Sequence, residues 1–284
     1  MSARSATHLL ISCPDRPGIV AGVSRFLFEQ GANIVEADQY ATEPVGGTFY
    51  MRMAFRREGG SPDDFERSFV ADVAEPFGME WRVAYPDEPR GVAVLVSREE
   101  HCLLDLLWRA RRGDFDAQIV HVISNHSEHE ADVAAFGVPY THIPFGDDPS
   151  AAEDQMAAVL AGNVELVVLA RYMRILSGGF LERVGVPFIN IHHSFLPAFP
   201  GAEPYARAAE RGVKIIGATA HYVTEELDEG PIIEQDVSRV GHAMSAKEFA
   251  AHGRDVESIV LARAVNWFVQ HRILLNGDKT VVFR

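Results

Sequence analysis

Cysteine is almost absent from the chain: only Cys13 and Cys102 occur in 284 residues, too few for a disulfide framework. No apolar run approaches the roughly 18 residues of a membrane span, and the amino terminus has no signal-peptide pattern. Positive charge is also scarce. Lys and Arg total 26 against 40 Asp and Glu, for a formal net charge of −14. A surface built to hold nucleic acid needs clustered Lys and Arg, so that class is excluded as a partner. Internal repeats and low-complexity segments are lacking. These absences leave an acidic, cytoplasmic protein without membrane contact, long enough for about two domains.

Residues 6–86 fit a βαββαβ unit. A short apolar strand from His8 to Ser12 leads into Cys13-Pro14-Asp15-Arg16-Pro17-Gly18. Asp15 is expected to cap a helix, with Pro17 in its first turn. Val20, Val23 and Leu27 then recur at helical spacing, and Gly31 ends the helix. Strands are expected over 33–41, 48–55 and 79–85, with a second helix over 62–75. Residues 87–90, rich in proline and charge, form the expected linker.

The remainder, 91–284, alternates apolar runs with helical stretches. The runs Val92–Val96, Ile119–Ile123 and Val164–Leu169 suit strands covered on both faces, as in a doubly wound, mostly parallel α/β sheet. Ligands of such folds gather at the carboxyl ends of the strands. Helices are expected over 100–112, 128–136 and 150–161. Ser97 and Glu100 have the spacing of a capping box, as do Ser245 and Glu248 at the start of a long last helix. Thr280 to Phe283 suggests an edge strand.

Chemistry concentrates in two segments. In Phe188-Ile189-Asn190-Ile191-His192-His193-Ser194 the Asn190 and His192 side chains lie two apart on a strand, on one face. In Thr224-Glu225-Glu226-Leu227-Asp228-Glu229-Gly230-Pro231 a turn carries the carboxylate of Asp228. Amide, imidazole and carboxylate together can stabilise an oxyanion and move protons. Read alone, each segment is as well explained by an ordinary turn or a satisfied histidine. A metal is not expected, because adjacent His192 and His193 on a strand diverge. A Cys102–His101 nucleophile pair is disfavoured because neighbours on a helix also diverge.

The order of motifs adds a family resemblance. Asn-Ile-His-x-Ser-x-Leu-Pro, Pro200-Gly201, Gly217-Ala218-Thr219-Ala220-His221 and Glu226-Leu227-Asp228-x-Gly230-Pro231, with Asn190 and Asp228 separated by 38 positions, resemble the formyltetrahydrofolate-dependent formyltransferase family. The resemblance implies Asn190, His192 and Asp228 as catalytic residues and His221 as a neighbour of Asp228. Met173, Arg174, Ile175, Leu176, Glu225 and Glu226 are the implied folate contacts. The amino-terminal unit, with Asp15-Arg16-Pro17-Gly18 and Gly31-Ala32-Asn33-Ile34, resembles the ferredoxin-like ACT domain, which implies an amino-acid effector near Asp15, Arg16, Pro17, Gly18 and Asn33, or a role in homo-oligomer assembly.

The resemblance also implies which acceptor receives the formyl group. Members that formylate a phosphorylated amine carry a glycine-rich phosphate loop where this chain has Ser97-Arg98-Glu99-Glu100-His101-Cys102, without glycine and with two acids. Transfer to methionyl-tRNA, in the family, goes with an added carboxyl-terminal domain. Water remains, which implies hydrolysis of 10-formyltetrahydrofolate to formate and tetrahydrofolate by the deformylase branch. The folate is substrate, and no cofactor is expected. Such activity would balance the one-carbon pool and supply formate for purine synthesis. Transfer to another amine, and a non-catalytic folate or amino-acid sensor, are the alternatives. Glu203 stands where the family pattern has a basic residue.

Overall fold

The computed structural model describes residues 6–43, 45–86, 90–115, 117–146, 148–162, 164–197 and 204–284. Pro200-Gly201, Glu203 and most of the expected linker lie outside them. The chain forms two compact units.

The first unit comprises Met1–Glu88 with His271–Asn276 and Val281–Arg284. Its strands β1 (Thr7–Pro14), β2 (Asn33–Ala41), β3 (Thr48–Arg56) and β4 (Glu80–Ala84) form an antiparallel sheet in the order β2-β3-β1-β4. Helices α1 (Ile19–Glu29) and α2 (Pro62–Phe69) bury Val23, Phe26, Leu27, Phe65 and Phe69 against Leu9, Ile11, Met51, Met53 and Phe55. A π turn over Val70–Ala74 joins α2 to the short α3 (Glu75–Phe77). Alternation in β1 explains the layer: Leu9 and Ile11 lie in the core while His8 and Ser12 are only partly covered.

Two local expectations change. Asp15 does not cap α1; Gly18 occupies that position at φ 97°, and the Asp15 amide instead donates to the Gly47 carbonyl at 2.8 Å. Val20 faces outward, and Ile19 and Phe26 complete the buried stripe. The carboxyl-terminal segment, expected with the second unit, is tied to the first by charge. Arg272 meets Glu36 at 2.7 Å, and Arg82 contacts His271 at 3.2 Å.

The second unit holds a seven-stranded sheet in the order β11-β10-β9-β8-β5-β6-β7. Its members are β5 (Gly91–Val96), β6 (Gln118–Ser124), β7 (Tyr140–His142), β8 (Leu166–Ala170), β9 (Phe188–His192), β10 (Ile215–Tyr222) and β11 (Ile232–Arg239). Strands β7, β6, β5, β8 and β9 pair in parallel, whereas β10 and β11 run antiparallel. Every residue of β5 and β8 is buried, as central parallel strands require. Helices α4 (His101–Arg112), α5 (Glu130–Ala134), α6 (Pro149–Leu160), α7 (Gly178–Val184), α8 (Pro204–Glu210) and α9 (Ala246–Val269) complete the unit.

Ser245 and Glu248 form the anticipated capping box on α9. Ser97 and Glu100 do not form theirs. Glu100 is the N-cap of α4 without a side-chain bond, and the Ser97 hydroxyl instead donates to Asn125 Oδ1 at 2.7 Å and accepts from the Met173 amide at 2.9 Å. The last strand, β13 (Lys279–Val282), pairs with β12 (Ile273–Asn276) in a separate ribbon rather than extending the large sheet.

Candidate functional site at the end of the parallel strands

Strands β8 and β9 run parallel, so their carboxyl ends open on one edge. Asn190 and His192 occupy alternate positions at that end of β9, and β10 sets His221 opposite Asn190. Beyond β10 the chain turns through residues 223–230 and returns to β11. Asp228 stands in this turn at φ 60°, a left-handed conformation that Asp and Asn adopt more readily than most residues.

The turn closes tightly. The Tyr222 amide donates to the Pro231 carbonyl at 3.0 Å, and a Cβ added at Gly230 would lie 1.8 Å from the Tyr222 carbonyl oxygen. Gly230→Ala is therefore expected to push the turn away, destabilising the protein by about 1–3 kcal/mol and displacing Asp228. Melting temperature and turnover check this together; parental values for both would show that the close approach is relieved without cost.

Asp228 bridges two imidazoles. Its Oδ2 lies 3.2 Å from His192 Nδ1 and its Oδ1 3.6 Å from His221 Nε2. The second contact is longer than a hydrogen bond. Asn190 Nδ2 lies 3.2 Å from the same His221 nitrogen, and His221 Nδ1 contacts the Tyr222 carbonyl at 2.8 Å. A carbonyl accepts only, so His221 Nδ1 carries hydrogen. The neutral ring then leaves Nε2 to accept from the Asn190 amide. His192 and His221 are buried, and Asp228 is a quarter exposed.

The His192 hydrogen bond, followed by the influence of the neighbouring His221 ring, holds the Asp228 carboxyl far below the usual carboxylate range, against the opposing effect of burial. Because the folded-state value is depressed, the stabilisation it brings is complete above the unfolded value of about 3.9 and fades as pH falls through the folded value. Urea midpoints of the parent and Asp228→Asn should thus differ by a constant amount above roughly pH 4 and converge in more acidic solution. A gap that stays flat or widens there would refute the assignment of charge.

A cavity of 910 Å³ surrounds these groups, lined by Asn190, His192, His221 and Asp228 and by all the residues expected at a folate: Met173, Arg174, Ile175, Leu176, Glu225 and Glu226. Met173, Ile175 and Leu227 expose apolar surface at its rim, which suits a flat ring held between apolar walls. Arg174 lies over the Phe145 ring at 5.5 Å. Arg171 and His193 also line the cavity, and His193 had been weighed from sequence only as a metal ligand. Strand alternation had suggested that His193 turns away from His192, but β9 ends at His192. Past the strand both rings reach the cavity, with centroids 5.2 Å apart. Burial, followed by the Arg171 guanidinium, pushes His193 down to about 4.

Cys102 is fully buried, and burial followed by the nearby Glu257 charge raises its thiol well above the ordinary value, the reverse of an activated nucleophile. His101, Cys102 and Glu257 present ligand atoms within 4.8 Å of one another, yet the Arg171 Nε atom already lies 3.4 Å from the Glu257 carboxylate. A fixed cation there works against a second one. In the first unit, Asp15 is half-buried, while Arg16, Pro17, Gly18 and Asn33 are exposed. Arg16 packs over the Phe77 ring at 4.6 Å and donates to the Pro76 carbonyl.

Fold and sequence together define a formyl transferase: residues 90–265 match the Formyl transferase family, and residues 7–64 match the ACT domain. A formyltetrahydrofolate deformylase of Mycobacterium tuberculosis is 55% identical over 97% of this chain and 90% of its own length. The crystal structure of a formyltetrahydrofolate deformylase from Pseudomonas syringae pv. tomato superimposes with a TM-score of 0.93 at 44% identity, covering 98% of this chain and 94% of the other. Glycinamide ribonucleotide transformylase 1 from Symbiobacterium toebii gives 0.65 at 29% identity over 70% of this chain and 97% of its own. The chain belongs to the formyltetrahydrofolate deformylase family.

Proposed function

We propose that the protein hydrolyses 10-formyltetrahydrofolate to formate and tetrahydrofolate. The observation that carries the reading is the Asp228 carboxylate held between His192 and His221, with Asn190 beside them, at the cavity mouth. Relatives bearing the deformylase name at 41–55% identity support it.

In this mechanism the Asp228 carboxylate takes a proton from water as the water oxygen attacks the formyl carbon. The developing oxyanion receives hydrogen bonds from the Asn190 amide and from Nε2 of His192, whose Nδ1 faces Asp228. His192 Nε2 is buried and has no hydrogen-bond partner among the described residues, so it has a donor direction to spare. Collapse of the tetrahedral adduct breaks the bond to N10, which receives the proton held by Asp228, and formic acid leaves and ionises to formate. Met173, Arg174, Ile175 and Leu176 hold the folate on one wall, with Glu225 and Glu226 at the rim. No cofactor enters this scheme, because the folate is itself the formyl carrier.

Purified protein, given 10-formyltetrahydrofolate alone in buffer containing a chelator, should release formate and tetrahydrofolate in equal amounts. A requirement for an added amine would establish a transferase instead. Binding without turnover would leave a sensor.

The wider role follows from the reaction. Water is always available, so this activity returns free tetrahydrofolate to the cytoplasmic pool and supplies formate for purine synthesis. The same availability calls for restraint, and the ACT domain is the natural place for a small amino acid such as glycine or methionine to act. That domain also offers β2 as an open sheet edge for assembly of a homo-oligomer. Titrating glycine and methionine against the full chain, while following rate and oligomeric mass, tests both roles.

A further inference from the structure

One layer behind the cavity, the second unit buries a charge that packing does not explain. Glu257, on α9, has no exposed surface. Its carboxylate meets His101 Nε2 at 2.8 Å, receives the Tyr205 hydroxyl, and lies 3.4 Å from Arg171 Nε. Taking a carboxylate out of water costs several kcal/mol, and apolar side chains of similar volume would fill the space without that cost. The surroundings are shaped to hold this group. Gly253 gives Tyr205 its seat, since a Cβ there would lie 2.1 Å from the ring. Arg171 leaves β8 at φ 61°. His193 connects the cluster to the reacting centre, with its ring 6.1 Å from Tyr205 and 5.2 Å from His192.

These groups come from the end of β8, the end of β9 and the starts of α4 and α8, with α9 behind them. This edge of an open α/β sheet is where a ligand crevice ordinarily forms. Arg171 and His193 line the cavity at this edge, and the polar side chains of His101, Tyr205 and Glu257 adjoin them.

We propose that His101, Tyr205 and Arg171, tied together by Glu257, form a wall that keeps amine acceptors from the formyl carbon and leaves passage for water alone. The proposal rests on the hydrolytic reading above and makes these residues determinants of acceptor choice. An amine and a water molecule attack the same carbon, so the chemistry itself does not separate them. What separates them is room for the substituent that an amine brings. Glycinamide ribonucleotide transformylase 1, with the same fold, has by its name a second substrate to accommodate. If the wall were opened, the amine nitrogen would bond to the formyl carbon and the bond to N10 would break. The proton lost by the amine would pass to N10, giving a formamide and tetrahydrofolate with no further reactant.

The test uses the full chain with 10-formyltetrahydrofolate and increasing glycinamide, separating formate from N-formylglycinamide. The parent should yield formate with only a trace of N-formylglycinamide. Tyr205→Ala and His101→Ala, each opening the wall from a different element, should divert the formyl group to glycinamide about tenfold more than the parent. Tyr205→Phe keeps the ring and should behave as the parent. The wall is refuted if folded, hydrolysing Ala variants retain the parental product ratio, if Tyr205→Phe admits as much amine as Tyr205→Ala, or if the parent itself formylates glycinamide as readily. Should one Ala variant fail to fold, the other decides. A parent that releases no formate would instead overturn the hydrolytic reading.

Discussion

Asp228→Asn should retain the fold and bind folate while its turnover number falls by about a hundred- to ten-thousand-fold. Asn keeps the side-chain shape and tolerates the left-handed backbone at this position, so the change isolates the loss of a proton acceptor. It also removes the negative charge that faces His192 at 3.2 Å. Steady-state turnover beside a folate-binding titration makes the comparison. Turnover within a few-fold of the parent would remove Asp228 from proton transfer. Matching losses of binding and turnover would make it a binding group.

Removing the Asn190 amide should act almost wholly on turnover. In the resting site its Nδ2 is 3.2 Å from His221 Nε2, which uses one of two amide hydrogens and leaves the other for the oxyanion. Such a donor is worth roughly 3–4 kcal/mol in the transition state, so Asn190→Ala should lower kcat by about a hundred- to a thousand-fold with little change in KM. A rise in KM at unchanged kcat would reassign Asn190 to ground-state binding. Loss of the amide also leaves His221 Nε2 without its donor, so His221→Gln provides a useful comparison. If that variant matched Asn190→Ala, the amide would act by holding His221 in place.

Strands and their faces were legible because periodicity and burial are local properties. The uninterrupted apolar runs of β5 and β8 announced a sheet covered on both sides, and spacing alone placed Asn190 and His192 together. What sequence could not supply was contact between distant segments. The Ser97 hydroxyl has a well-spaced Glu100 nearby, yet it bonds Asn125 and the Met173 amide, because the ends of β5 and β6 and the segment after β8 meet only after folding. His193 was misplaced for a different reason: alternation holds only while the strand lasts, and β9 stops one residue earlier. Nothing in the local sequence marks Glu257, whose partners His101, Arg171 and Tyr205 are spread over more than a hundred positions.

The backbone at Asp228 also restricts how this position can change. At φ 60°, the residues that enter with least strain are glycine, asparagine and aspartate. Two of these lack a carboxylate. Glutamate would restore the charge, but it brings a longer arm and a poorer fit to the turn. Chemistry and conformation therefore choose the same residue for unrelated reasons. The usual conservative exchange of one acid for the other is disfavoured here, and the replacements that the backbone admits most readily both remove the carboxylate.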